Sequence, residues 1–464
     1  MTAVDAKVFL RLGSHAEKEY VEKTGHFFDG LIVGANLMEA APGATASLLF
    51  KLGGTKDGRP VFIDPMTYAF GGYADPGSGR ARYDLDWIKS ERQVKGPQGE
   101  KRRDFKRSYR KLADALAGPF QNAINSGRAV SPDVFKDQEV LMAACDSVAK
   151  YQVNRIRSEF EKDREYIGGN ADALPSPRCI FAPYFYIPPD DWQRWLTLAI
   201  TLASKTTALA GSDTPVHAVI CADVGALENE NILGRLLEGL PETGVRGVWL
   251  WFSGFNELTA RREVLLRFRR LVESLSTSGL EVYNMHGGFF SLCLSKFGLA
   301  GISHGIGYGE QKDVMPVVGQ GIPTVRYYLP ALRRKLGVPP VERCFPGLKV
   351  RSVQDFYEQI CDCAVCKGVV NKRLEDFRQF GEMHRSSPEA ARDAQTPAAA
   401  KRCRFHFLLN RIDERKLVVR SGVEELTKDM RSARAKWANL DLLRDELGHL
   451  DRWLSVLSDV TPTQ

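Results

Sequence analysis

The feature that most narrows the fold of this chain is a recurring alternation. Short runs of β-branched and aromatic residues are each followed by helical periodicity or a polar loop. Eight such runs can be read: Gly30–Asn36 (GLIVGAN), Pro60–Met66, Arg178–Ile187, His217–Val224, Arg246–Gly254, Leu280–Gly287, Ala300–Gly309 and Pro323–Pro330. Runs this continuously apolar suit a parallel sheet covered on both faces, and segments such as Arg262–Leu275 supply the cover. Eight βα units predict an α/β fold of the closed (β/α)₈, TIM-barrel type. A doubly wound open sheet ranks second, because the Gly-rich turn that marks it is missing after GLIVGAN.

About a hundred residues separate the second run from the third, more than one crossover needs. They predict an insertion over the barrel at about 75–170, with helices near Phe105–Leu116 and Asp137–Tyr166. The barrel is expected over 1–346. A C-terminal subdomain over 347–464 opens on a cysteine cluster, passes through RSSPEAARDAQTPAAAKR as a loop, and ends in two mutually packed helices over Val423–Leu457.

At 464 residues, 44% hydrophobic and 26% charged, the chain can enclose a large core and fits neither a disordered nor a fibrous class. It has no uncharged apolar run near the roughly 18 residues that a membrane span needs, and MTAVDAKVFLRLGSHAEKEY lacks the order of a signal peptide. A cytoplasmic protein without membrane contact is expected. The net charge of +7 is too small to identify a partner, but its distribution is uneven. Lys89–Lys111 holds ten basic residues against three acidic ones, with Trp87, Phe105 and Tyr109 in or beside the run. Lys101, Arg102, Arg103, Lys106 and Arg107 are its centre, and a nucleic-acid backbone is the partner such a patch fits. RRKLGVPPVERCFPGLKVR, ahead of the cysteine cluster, is a second basic stretch.

Nine cysteines without a secretory leader argue for buried thiols and a metal site over a disulfide framework. Cys361-Asp-Cys363-Ala-Val-Cys366 is C-x-C-x₂-C, a spacing that lets three thiolates converge on one Zn²⁺. The fourth ligand is assigned to His406, at the start of a helix in RCRFHFLLNR, with His384 and Cys403 as lesser candidates. Four protein ligands leave no open position, so the zinc is expected to be structural.

The CDCAVC motif followed by a helix-borne histidine resembles the zinc subdomain of the tRNA-guanine transglycosylases. The resemblance extends over about Cys361–Met430 and includes HFLLNRIDERKLVVRSGVEELTKDM. It implies a (β/α)₈ barrel acting on a base in nucleic acid. FIDPMTYAF falls where that family has Asp-Ser-Gly-Gly-Phe-Gln, which makes Asp64 the expected catalytic aspartate. Pro65-Met66-Thr67-Tyr68 replaces the Ser-Gly-Gly-Phe that receives a 7-deazaguanine, so a different base is expected. The family's second carboxylate should lie near the last strand. GISHGIGYGE and TVRYYLP offer His304, Glu310 and Arg326 there, but no aspartate.

Barrel enzymes carry their chemistry at the C-terminal ends of strands. The candidates are Asn36, Asp64, Asp223, Glu257, His286, His304 and Glu310, with Tyr184, Tyr186 and Tyr308 available to stack on an extruded base. Base exchange needs a carboxylate that holds the sugar covalently, whereas hydrolysis needs only an activated water. Without a second aspartate the expectation is hydrolysis: a DNA glycosylase that removes a modified base, in an antiphage role. The alternatives are a transglycosylase that inserts a 7-deazaguanine into DNA or tRNA, and a nucleic-acid-binding subunit without chemistry.

Overall fold

The computed structural model describes residues 5–53, 59–74, 81–95, 101–162, 176–211, 214–307, 309–314, 324–385, 393–440 and 445–459. Eight parallel staves form a nearly closed barrel: β1 (Lys7–Leu12), β2 (Gly30–Gly34), β3 (Val61–Asp64), β4 (Ile180–Phe181, resumed at Tyr186–Ile187), β5 (Val216–Asp223), β6 (Gly247–Ser253), β7 (Glu281–Asn284) and β8 (Leu299–Gly305). Their order is β3-β2-β1-β8-β7-β6-β5-β4. The seam between β3 and β4 is held by one bridge, Val61 to Pro177, with the Arg178 amide donating to the Val61 carbonyl at 2.8 Å.

The count of eight agrees with the sequence, but two identities change. The first stave, Lys7–Leu12, is absent from the expected strands, because a charged residue inside KVFLRL breaks the apolar run. Pro323–Pro330 is not a stave. Its Tyr327–Leu329 pairs antiparallel with Arg334–Leu336 as a separate ribbon against the C-terminal subdomain. The run is apolar because Tyr327 packs on Phe377, Phe380 and His406 there.

Alternation along the staves fills the barrel in layers. Phe9, Phe62, Phe181, Trp249 and Tyr283 form an aromatic layer, with Phe9 5.1 Å from Phe62 and Trp249 stacked 4.5 Å from Tyr283. His217 completes it, accepting a hydrogen bond from the Trp249 indole at 3.0 Å, and burial holds its pKa down to about 4, hence neutral. Two residues further along the same strands, the inward positions are Arg11, Asp64 and Trp251. The polar site therefore sits on an apolar plug.

The insertion lies between β3 and β4. The basic run forms an antiparallel hairpin, Lys89–Lys95 with Lys101–Phe105, and leads into α1 (Arg107–Leu116). The long helix α2 (Gln138–Lys162) follows, and its Gln152 exchanges hydrogen bonds with both backbone groups of Phe181 at 2.8 Å, tying the insertion to β4. Around the barrel run α3 (Trp192–Ala210), α4 (Glu230–Gly239) and α5 (Arg262–Thr277). The C-terminal region holds α6 (Pro397–Arg420), α7 (Val423–Ala438) and α8 (Gly448–Leu457), the last two packed on each other as expected. Among the described residues no helix is long and apolar enough to cross a membrane.

Candidate active-site cleft and metal centre

A cleft of about 380 Å³ opens at the C-terminal mouth of the barrel, where the strand ends and following loops converge. Its walls are aromatic. Tyr68 stacks on Trp87 at 5.8 Å, and Tyr109 meets Trp87 edge-on at 5.9 Å. Asn36 lies on the wall and donates to the Tyr109 hydroxyl at 3.4 Å.

Beneath the cleft Asp64 is 0% exposed, and the 8% of Arg11 that remains open forms part of the floor. The Arg11 guanidinium bonds Asp64 Oδ2 at 2.5 Å, while Oδ1 accepts from the Tyr184 hydroxyl at 2.7 Å and the Met66 amide at 3.0 Å. Thr67 fixes the tyrosine, donating to the Tyr184 carbonyl at 2.7 Å and accepting from its amide at 2.8 Å. Met66 has φ of 57°, the left-handed region, at a cost of roughly 1–2 kcal/mol for a residue with a side chain. Its side chain lines the cleft.

Two further groups face this floor. Burial, with the nearby Arg11 and Lys312 cations, drives the His286 pKa well below its ordinary value. The imidazole is neutral, both ring nitrogens are buried without a hydrogen-bond partner, and the ring meets Trp251 edge-on at 5.1 Å. Lys312, in the loop after β8, lies over the faces of Tyr68 and Trp251 at 5.8 and 5.2 Å. Burial and then Arg11 bring its pKa down to about 8. Glu17 also lines the cleft, and burial raises its carboxyl although it accepts the Gly13 amide at 2.8 Å.

The other expected residues lie elsewhere. His304 is on the outer face of β8 between Phe28 and Phe407, donating from Nδ1 to the Gly305 carbonyl at 2.8 Å, and burial holds it down to about 3. Asp223 caps the turn after β5, accepting the Gly225 amide at 2.8 Å and the Tyr186 hydroxyl at 3.4 Å, so these two residues serve each other. Tyr308 lies outside the described residues. Glu310 is beside the cleft loop but turned to Lys335, at 2.9 Å, and to Arg411. Burial acts against its charge, and the two cations outweigh that and hold it down to about 2. The loop also holds Asp313, just beyond the segments that lack an aspartate, and its Oδ1 accepts the Gly254 amide at 2.7 Å.

The basic hairpin stands at the rim of the cleft. Lys106 Nζ reaches the Trp87 carbonyl at 3.4 Å, and Tyr109 follows Arg107 in α1. Lys101, Lys106 and Arg107 are exposed. Arg103 pairs with Asp86 at 3.2 Å, and Arg102 lies opposite Val94 in the hairpin register.

The metal centre combines one short segment with one helix. The Sγ atoms of Cys361, Cys363 and Cys366 lie 4.0, 3.3 and 3.4 Å from His406 Nδ1, and all four donor atoms fall within 4.8 Å of one another. These separations suit a tetrahedron with metal–ligand bonds of about 2.0–2.3 Å. His406 Nε2 donates to the Tyr328 carbonyl at 2.6 Å, which turns the Nδ1 lone pair towards the thiols. Hydrogen bonds from Cys361 and Cys366 hold the Cys363 thiol down to about 4, a thiolate at neutral pH. The four residues can hold a metal ion such as zinc. Cys403 instead donates to the Phe380 carbonyl at 3.3 Å, and His384 is exposed on a short strand. His406 lies in the middle of α6 and does not open it, because the helix starts nine residues earlier at Pro397.

The same helix runs beside the barrel from the loop after β8 to the N-terminal ends of β1 and β2. Arg411 grips Glu310 and forms an ion pair with Glu414 at 2.8 Å, Glu414 accepts the Tyr328 hydroxyl at 2.5 Å, and Arg415 pairs with Asp29, just ahead of β2, at 2.6 Å. No protein-family model matches this chain, and no curated protein sequence matches it.

Proposed function

We propose that the protein is a zinc-containing barrel enzyme of the transglycosylase superfamily that hydrolyses an N-glycosidic bond in nucleic acid, foremost as a DNA glycosylase acting on modified phage DNA. The observation that carries the reading is the cleft itself. A cleft of about 380 Å³ with aromatic walls stands over a buried carboxylate, a neutral histidine and a lysine of lowered pKa, with a basic hairpin beside its Trp87 wall.

In this reading Tyr68, Trp87 and Tyr109 receive the flipped base, Asn36 reads its edge, and the hairpin cations hold the strand. The C1′–N bond breaks with its electron pair going to the base, and Lys312 donates a proton to the departing nitrogen more readily at a pKa of about 8 than an ordinary lysine does. Asp64 stabilises the positive charge at C1′. Water held by His286 forms the new C1′–O bond, and its proton passes to Asp64 and on to solvent. Asp64 is enclosed beneath Arg11, so catalysis requires the guanidinium to leave Oδ2, and a strand phosphate is the group that can draw it away. Zinc, held by the three cysteines and His406, serves folding and takes no part in these steps.

The enclosed Asp64–Arg11 pair also favours a second reading, a nucleic-acid-binding subunit without chemistry. Incubation with phage DNA carrying modified cytosines, with tRNA and with plain duplex DNA, followed by mass spectrometry of the small-molecule fraction, separates the two. Released base and abasic sites are expected from modified DNA. Incorporation of a 7-deazaguanine in place of release would establish base exchange, and the absence of any release or exchange would leave the binding subunit.

A further inference from the structure

The basic stretch ahead of the cysteine cluster has no part in the cleft, yet it lines a second cavity of about 480 Å³ on the other side of the loop after β8. Its walls are that loop, the loops after β6 and β7, the ribbon at Arg334–Leu336 and α8. The partition between cavity and cleft is thin. Lys335 lines the cavity and donates to the carbonyl of Gly307, which lines the cleft.

Four cations, Arg326, Arg333, Arg334 and Lys335, face this cavity together with Glu257 and Glu310. The two carboxylates are already satisfied. Glu310 is matched by Lys335 and Arg411, and Glu257 accepts the Gly288 amide at 2.8 Å, the Phe290 amide at 3.1 Å and the Ser291 hydroxyl at 2.5 Å. Lys335 is paired through Glu310, whereas the three arginines are less completely matched. Arg326 is exposed and makes no ion pair or hydrogen bond among the described residues. Arg333 and Arg334 are tied to Asp429 and Glu446, but the Nε of each is buried without a partner, as is that of neighbouring Arg452. Burial, opposed by the Glu446 carboxylate but joined by repulsion from Arg326 and Arg452, lowers the Arg334 pKa, whereas at Arg333 burial is outweighed by Glu414, Tyr328 and Asp429, which raise it.

We infer that this cavity is a phosphate-binding subsite built from Arg326, Arg333 and Arg334. Guanidiniums with unused N–H groups and mutual repulsion are relieved by a dianionic or diester phosphate, which they bind bidentately. The phosphate belongs either to a nucleic-acid strand whose base occupies the adjoining cleft, in which case the inference rests on the reading proposed above, or to a free nucleotide.

The test uses the full-length metal-loaded chain and the variants Arg326→Ala, Arg326→Glu and Arg326→Lys. Arg326 has no partner to lose, so folding is preserved, and the lysine variant keeps the charge. Binding of a single-stranded oligonucleotide is followed against salt, and binding of a deoxynucleoside monophosphate is measured alongside. Arg326→Ala is expected to lower the salt slope by roughly 0.7, the share of one single-strand phosphate, with Arg326→Lys close to wild type. Monophosphate binding that weakens at least about tenfold in Arg326→Glu would identify a free nucleotide as the source and equally support the subsite. If neither probe binds the wild-type chain, or if Arg326→Glu changes neither, the subsite is refuted. Base release from phage DNA with modified cytosines, assayed with the same proteins, keeps the two proposals apart: a slope that responds to Arg326 without release retains the subsite and loses the glycosylase, and the converse loses only the subsite.

Discussion

The metal centre and the cleft are both small constellations of polar groups, but they are assembled differently. The metal centre takes its donors from six consecutive residues and one helix. The cleft draws Arg11 from the end of β1, Met66 and Tyr68 from beyond β3, Tyr109 from the insertion, His286 from beyond β7 and Lys312 from the loop after β8. Local spacing nearly determines the first, whereas only closure of the whole barrel creates the second. Damage to the metal centre should therefore appear as lost stability, and damage to the cleft as lost chemistry in a chain that stays folded.

The largest effect is expected from Cys363→Ser. Structural zinc contributes on the order of 10 kcal/mol in small metal domains, and a fraction of that corresponds to a fall in Tm of at least about 10 °C for the C-terminal region. Metal analysis and thermal unfolding check it together. Full metal content at an unchanged Tm would erase the contrast between the two regions.

Next comes Asp64→Asn, expected to slow base release by about 10² to 10⁴ while metal content stays whole. Single-turnover release is the measurement, with Asp223→Asn as a control that stays near wild type because Asp223 caps a turn. Equal loss in both variants would show that the cleft assignment is wrong.

Lys312→Met tests the cleft through pH. With Lys312 at about 8, release by the wild-type chain is expected to decline above pH 8 as the ammonium loses its proton, and the variant, slower by roughly 10², should lack that limb. Stability moves the opposite way. The folded-state pKa lies below the ordinary 10.5, so the folded chain bears a penalty for this charge below pH 8 that fades as pH rises towards 10.5. Lys312→Met should therefore have a higher Tm at pH 7, and a gain of the same size at pH 10.5 would contradict the assignment.

The smallest expected effect is in the hairpin. Changing Lys101, Arg102, Arg103, Lys106 and Arg107 to Ala should leave Tm within a few degrees and lower the salt slope of duplex binding by about 0.9 for each phosphate that is no longer neutralised. An unchanged slope would make the hairpin a solvated face.

How much was legible in the sequence follows the same division. Strands buried on both faces are readable as apolar runs, and C-x-C-x₂-C reads as metal because its geometry is local. Lys7–Leu12 was not readable, since Arg11 looks like a surface charge until Asp64, 53 residues away, supplies its partner. PTVRYYLP misled for the converse reason: its tyrosines are buried against α6, which gives a strand-like pattern outside the barrel. The basic run was visible, but its place beside the cleft depends on how the insertion folds back. Lys312 carried no sequence signal, because a lone lysine in a loop is ordinarily solvated and only the faces of Tyr68 and Trp251 make it otherwise.

The placing of β1 between β2 and β8 also fixes an order of events during synthesis. One edge of Lys7–Leu12 can pair with Gly30–Gly34 as soon as that strand emerges, but the other waits for Leu299–Gly305. Until then Arg11 and Asp64 have no enclosing ring, and Arg415, which ties the Ala6 carbonyl at 3.0 Å and Asp29 to α6, is still unmade. A ribosome stalled before residue 299 carries an open sheet with an exposed parallel edge and no cleft. Such a fragment, with an unpaired strand edge and an unfinished core, is a client for chaperones and proteases.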